Sequence, residues 1–86
     1  MRLKKEFVTV PEGDSAITVS TDTSLFSGMM RSNKTAAYII SCMQDDISLD
    51  EICLRVKNKY DVDDQTVRND VENIVEQLRA IDAIDD

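Results

Sequence analysis

The sequence predicts an α+β fold, a three-stranded antiparallel sheet followed by three helices. Three observations carry that prediction. β-forming residues in period-two alternation fill the first third of the chain. Two helix-start signatures follow, Ser48-Leu-Asp-Glu51 and Asp63 before Asp64. From Val67 to Ile81 a stripe of apolar residues then repeats at helical spacing.

The elements follow in chain order. Glu6-Phe-Val-Thr-Val10 is rich in β-formers and predicts the first strand. Pro11-Glu-Gly-Asp14 predicts a turn, because proline presets φ at one position and glycine permits positive φ at another. Ala16-Ile-Thr-Val-Ser20 alternates apolar and polar, the pattern of a half-buried second strand. Thr21-Asp-Thr-Ser24 predicts a connection, and Leu25 to Arg31 a third strand. Gly28 within it marks either a bulge or a place where another backbone comes close.

Asn33 is a suitable N-cap for a first helix over about Lys34 to Met43, with Ala36, Ile39, Ile40 and Met43 on one face. Ser48-Leu-Asp-Glu51 is a capping box opening the second helix, and Ile47 and Ile52 occupy the positions of a hydrophobic staple. The apolar face of that helix is Leu49, Ile52, Cys53, Val56 and Tyr60, where it ends. The third helix starts after Asp63, with Val62 and Val67 as a second staple and Asp64 suiting the helix dipole. Its stripe is Val67, Val71, Ile74, Leu78 and Ile81, close to five turns.

Eighty-six residues make one domain, 1–86, with a modest core. The 42% apolar content supports a globular fold, and 2 Gly with 1 Pro leave no room for a flexible linker. A net charge of −7 argues against nucleic acid and anionic membranes, whose phosphates demand Lys and Arg. It is read as keeping a small protein soluble, in preference to signalling a basic or neutral partner. The amino terminus has basic residues without an apolar run behind them, so a secretory signal is not expected, nor is any segment long enough to span a membrane. The expected location is cytoplasmic. Cys42 and Cys53 fit as reduced thiols on apolar helix faces.

Catalysis finds no support. The chain has no histidine, no Gly-rich phosphate loop and no nucleophile–base spacing, so no catalytic residue, metal ligand or cofactor is predicted. The element order is winged-helix-like, which raises a DNA-binding transcriptional regulator as the alternative. A groove-reading helix needs exposed basic residues. Here Arg68 and Arg79 stand against Asp64, Asp70, Glu72 and Glu76, and that field would repel phosphate. The short path from the third strand into the first helix leaves little room for a fourth strand. The third strand is therefore a candidate edge, with unpaired N–H and C=O groups available to an extended peptide.

The order strand–strand–strand–helix–helix–helix resembles the pyrroloquinoline quinone biosynthesis protein D (PqqD) family. So do Gly28-Met-Met-Arg-Ser-Asn-Lys-Thr-Ala-Ala37, Ser48-Leu-Asp-Glu-Ile52, Tyr60-Asp-Val-Asp63, Val67-Arg-Asn-Asp-Val71 and Leu78. The likeness runs from about Phe7 to Ile84. It implies a precursor-peptide recognition element. Such a protein binds the leader segment of a ribosomally made precursor peptide by strand addition and presents it to a modifying enzyme, often a radical enzyme dependent on S-adenosylmethionine. Carried over by position, the resemblance implies a peptide-binding groove of Gly28, Met29, Met30 and Arg31 facing Val67, Arg68, Val71 and Val75. One of Met29 and Met30 should enter the core and the other line the groove, since successive strand side chains point to opposite faces. Arg68 would pair with an acidic leader side chain, whereas Asp70 is read as structural or neutral. Two positions depart from the family pattern: Ser32 stands where leucine is usual, and Asp82-Ala-Ile84 stands for Gly-Leu-Ile. Whether the chain is a monomer or a dimer is left open by an edge that permits strand exchange.

Overall fold

A computed structural model of the chain describes residues 1–21 and 28–85. The elements run β1 (Arg2–Leu3), β2 (Phe7–Glu12), β3 (Ser15–Ser20), β4 (Met29–Ser32), α1 (Lys34–Cys42), α2 (Leu49–Lys59), α3 (Asp64–Ala80) and β5 (Ile84–Asp85). β2, β3 and β4 form an antiparallel sheet with β3 in the centre, and three helices follow it. The predicted α+β architecture is therefore present.

The strand boundaries differ from expectation in instructive ways. Pro11 and Glu12 continue β2, and the turn narrows to Gly13–Asp14 between the pairs Glu12↔Ser15 and Pro11↔Ala16. Gly13 takes φ 62°, which a two-residue hairpin loop requires and glycine supplies without steric cost. Proline is tolerated in β2 because β2 is a sheet edge. Of the expected third strand, Leu25–Ser27 lie outside the described residues, and Gly28 is an exposed bend immediately before β4.

The register gives the sheet two unlike faces. Phe7, Ala16, Thr18 and Ser32 lie on the face turned to the helices and are buried. The hydroxyls of Thr9 and Thr18 meet at 2.9 Å across that face. Ser32 is accommodated there because its hydroxyl donates to the Ala16 carbonyl at 3.3 Å. Val8, Val10 and Met29 are exposed on the opposite face.

The helix starts follow the sequence, with one difference at α2 and one at α3. Asn33 accepts from the Ala36 N–H at 2.8 Å, as predicted. Ser48 accepts from the Glu51 N–H at 3.1 Å, and Ile47 and Ile52 are both buried. The Glu51 carboxylate, however, lies 3.7 Å from Arg55 on its own helix rather than closing the box back on Ser48. Asp63 stands at the N-cap position of α3 with extended backbone, but its side chain makes no capping bond.

The core is helical. Ile39, Ile40, Met43, Ile52, Val56, Val71 and Leu78 are almost wholly buried and knit α1, α2 and α3 together. Along α3 the buried set is Val67, Val71, Val75 and Leu78, while Ile74 and Ile81 are only half-buried. Val75 thus takes the central place expected for Ile74. Tyr38 of α1 and Tyr60 after α2 meet edge to face, ring centroids 6.0 Å apart, with the Lys59 ammonium 5.0 Å from the Tyr38 ring centre.

The carboxyl end folds back through a motif that the sequence disguises. The Ala83 N–H donates to the Leu78 carbonyl at 2.9 Å and the Asp82 N–H to the Arg79 carbonyl at 3.0 Å. This is a Schellman closure, with Asp82 at φ 58° in the left-handed position where glycine is usual. Aspartate is among the few side chains that tolerate it, and Lys4 holds its carboxylate at 3.1 Å. Ala83 and Ile84 are then buried, and β5 pairs with β1. Two-residue strands such as these carry no periodicity, and the sequence gives no sign of them. Among the described residues no helix is long and apolar enough to cross a membrane, and no group of His, Cys, Asp or Glu could hold a metal ion.

Candidate functional site

β4 pairs with β3 through Thr18↔Met30, Val19↔Met29 and Ile17↔Arg31, and it ends the sheet. Among the described residues nothing pairs with its outer side, so the predicted edge is there. Asn33 follows β4 directly and starts α1, which brings the edge to the start of that helix.

Beside this junction lies a cleft of about 260 Å³ between α1 and α3. Asn33, Thr35, Ala36 and Ile39 line it from one side, and Asp70, Asn73, Ile74 and Gln77 from the other. Ala36 and Ile39 are buried and Ile74 is half-buried, so the cleft has an apolar floor. The rim is polar, with the Asp70 carboxylate as its one charge.

The residues implied by the resemblance are placed as follows. Gly28, Met29, Met30 and Arg31 do lie at the edge. Met30 packs partly buried against the core, and Met29 is 61% exposed on the sheet face turned away from the helices. Arg31 also lies on that outer face, where its guanidinium is 3.1 Å from Glu12. Val67, Val71 and Val75 are core residues, buried against the other helices. They are therefore not available as a groove wall.

Arg68 sits on the flank of α3 turned to α2. Its guanidinium is 2.7 Å from Asp50 and 3.7 Å from Glu72. The hydrogen bond to Asp50 is the main cause that raises its pKa still further. The neighbouring Cys53 thiol is pushed up by burial. The geometric reason is simple. Successive helical residues turn by about 100°, so Arg68 and Asp70 point to opposite flanks. The residues that face the cleft are Asp70, which the sequence reading took as structural or neutral, Ile74, which it placed in the core stripe, and Asn73 and Gln77, which it did not assign to the groove. Nothing in the sequence tells which flank of α3 meets α2 and which meets α1.

The match to known families decides the relationship. Residues 6–84 match coenzyme PQQ synthesis protein D (PqqD). The chain belongs to the PqqD family. As a PqqD-family member it resembles a solved structure, TbiB1 in complex with the TbiA(beta) leader peptide. The two align with a TM-score of 0.76 over 93% of this chain and 90% of that one, at 19% identity. That likeness shows a shared fold. No curated protein matches the chain by sequence.

Proposed function

We propose that this PqqD-family chain binds the leader segment of a ribosomally made precursor peptide. The leader adds as a fourth strand to β4, with the α1–α3 cleft taking the side chains that point inward. The observation that carries this reading is the unpaired edge of β4 beside a cleft with an apolar floor. Strand addition draws affinity from main-chain hydrogen bonds and specificity from pockets for alternate side chains. Family membership supports the reading, as does the leader peptide bound to TbiB1.

In this reading the chain is a recognition element rather than an enzyme. It acts in the cytoplasm and hands the rest of the precursor to a modifying enzyme of the radical S-adenosylmethionine type. The helix wall consists of Asp70, Asn73, Ile74 and Gln77, in place of the valines and Arg68. The DNA-binding alternative is disfavoured by α3 itself, which carries four acids against two arginines.

Calorimetry with the leader of the precursor encoded beside this chain's gene tests the proposal. Binding in the micromolar range or tighter is expected, on the order of −8 kcal/mol. A proline scan of that peptide should lose affinity at alternate positions, because proline removes a ladder donor. A leader that stays bound with proline at every position is not held as a strand.

A further inference from the structure

We propose that the α1–α3 cleft selects a leader carrying a Lys or Arg two positions from an aliphatic residue, the cation at Asp70 and the aliphatic side chain on Ile74. The inference rests on the leader-binding reading and names the chemistry of the peptide it would accept.

Three observations support it. First, Asp70 has no hydrogen-bond or ion-pair partner among the described residues, and it is the one charge lining the cleft. Arg68, two residues away on the same helix, is engaged with Asp50 and Glu72 on the other flank. Second, Ile74 lies one turn further along the same flank, half-buried beside buried Ala36 and Ile39. It offers an apolar seat framed by the polar side chains of Asp70, Asn73 and Gln77. Third, the spacing matches. Residues four apart on a helix rise by about 6 Å. Residues two apart on a strand advance by about 6.7 Å and point to the same face. A strand lying alongside α3 therefore presents alternate side chains in step with Asp70 and Ile74.

A long cationic side chain fits this seat better than a short one. Its methylene stem can lie on the apolar floor while its head reaches the carboxylate at the rim. The net charge of −7 adds a field that disfavours acidic peptides at a distance. The amides of Asn73 and Gln77 are without partners among the described residues and discriminate little by charge.

The test is selection of displayed random peptides on the wild-type chain and on Asp70→Lys, with melting curves for both. Wild type should enrich peptides with Lys or Arg two positions from Leu, Ile or Val. Asp70→Lys, still folded, should enrich Asp or Glu at the cationic position. One synthetic peptide from the wild-type pool should bind about tenfold more weakly when its cation is changed to Glu, and regain affinity on Asp70→Lys. Pools without a charge preference, or identical pools on the two proteins, overturn this inference and leave strand binding standing. A wild-type chain that enriches no peptide at all overturns the inference and the leader-binding reading together. Should Asp70→Lys not fold, Asp70→Asn serves in its place, with loss of the cation preference expected and an unchanged preference overturning the inference.

Discussion

Along α3, the flank turned to α2 carries Asp64, Arg68 and Glu72, and the flank turned to α1 carries Asp70, Asn73 and Gln77. On the first flank each charge has found a partner: Lys57 for Asp64, and Asp50 with Glu72 for Arg68. On the second, none of the three polar side chains has a protein partner among the described residues. One helix thus presents a self-satisfied side and an unsatisfied one, with the buried valines and Leu78 between them. The difference teaches where to look for a ligand. A polar surface that has already neutralised itself has little to offer a partner, whereas unpaired carboxylate and amide groups beside an apolar seat do.

The largest effect is expected from the stripe that both flanks share. Leu78→Ala should cost about 2–5 kcal/mol of stability, through lost burial and the cavity left behind. Chemical denaturation measures it. A loss well under 1 kcal/mol would mean that the two flanks are not separated by a core at Leu78.

Next comes the seat on the unsatisfied flank. Ile74→Ala should weaken leader binding about tenfold, or ~1.4 kcal/mol. Its effect on stability should be smaller than that of Leu78→Ala, because Ile74 is only half-buried. Unchanged leader affinity would place the peptide away from this flank.

A smaller effect should follow from loosening the opposite flank at its base. Ser48→Ala removes the cap on α2 and frays the turn that carries Asp50, at a cost of about 1 kcal/mol. Leader affinity should hold while thermal stability falls. The smallest effect is expected of Arg68→Gln, which keeps most of the stem and loses a surface pair. Such pairs are worth about 0–1 kcal/mol, so the melting temperature should barely move. Leader titration should also be unchanged, and a marked loss of affinity would return Arg68 to the binding surface.

Much of the architecture could be read from residue pattern alone. Asn33 and Ser48 mark helix starts because their side chains have one geometrically defined task, and the structure shows both performing it. The face of α1 was equally plain, since Ala36, Ile39, Ile40 and Met43 leave no competing stripe. On α3, Ile74 and Val75 are adjacent and both apolar, and a period of 3.6 cannot choose between them. Packing within the folded core buries Val75 and leaves Ile74 half-buried. Pro11 suggested a turn, yet the edge of a sheet tolerates proline, and Gly13 alone carries the turn's backbone demand. The strand half of the proposed site, Met29 to Arg31, was legible because an edge follows from element order. Its helix half was not, because the direction in which α3 faces is a property of its neighbours.

The two tyrosines have a consequence for anyone handling the protein. The chain has no tryptophan and 2 tyrosines, and these are the pair that meet edge to face where α1 and the end of α2 adjoin. Its near-ultraviolet absorbance and native emission therefore originate almost wholly at that one junction. A melt followed by intrinsic fluorescence watches α1 separate from α2. It is optically blind to the cleft on the far side of α3, where an extrinsic dye or a tryptophan placed in the peptide would have to supply the signal.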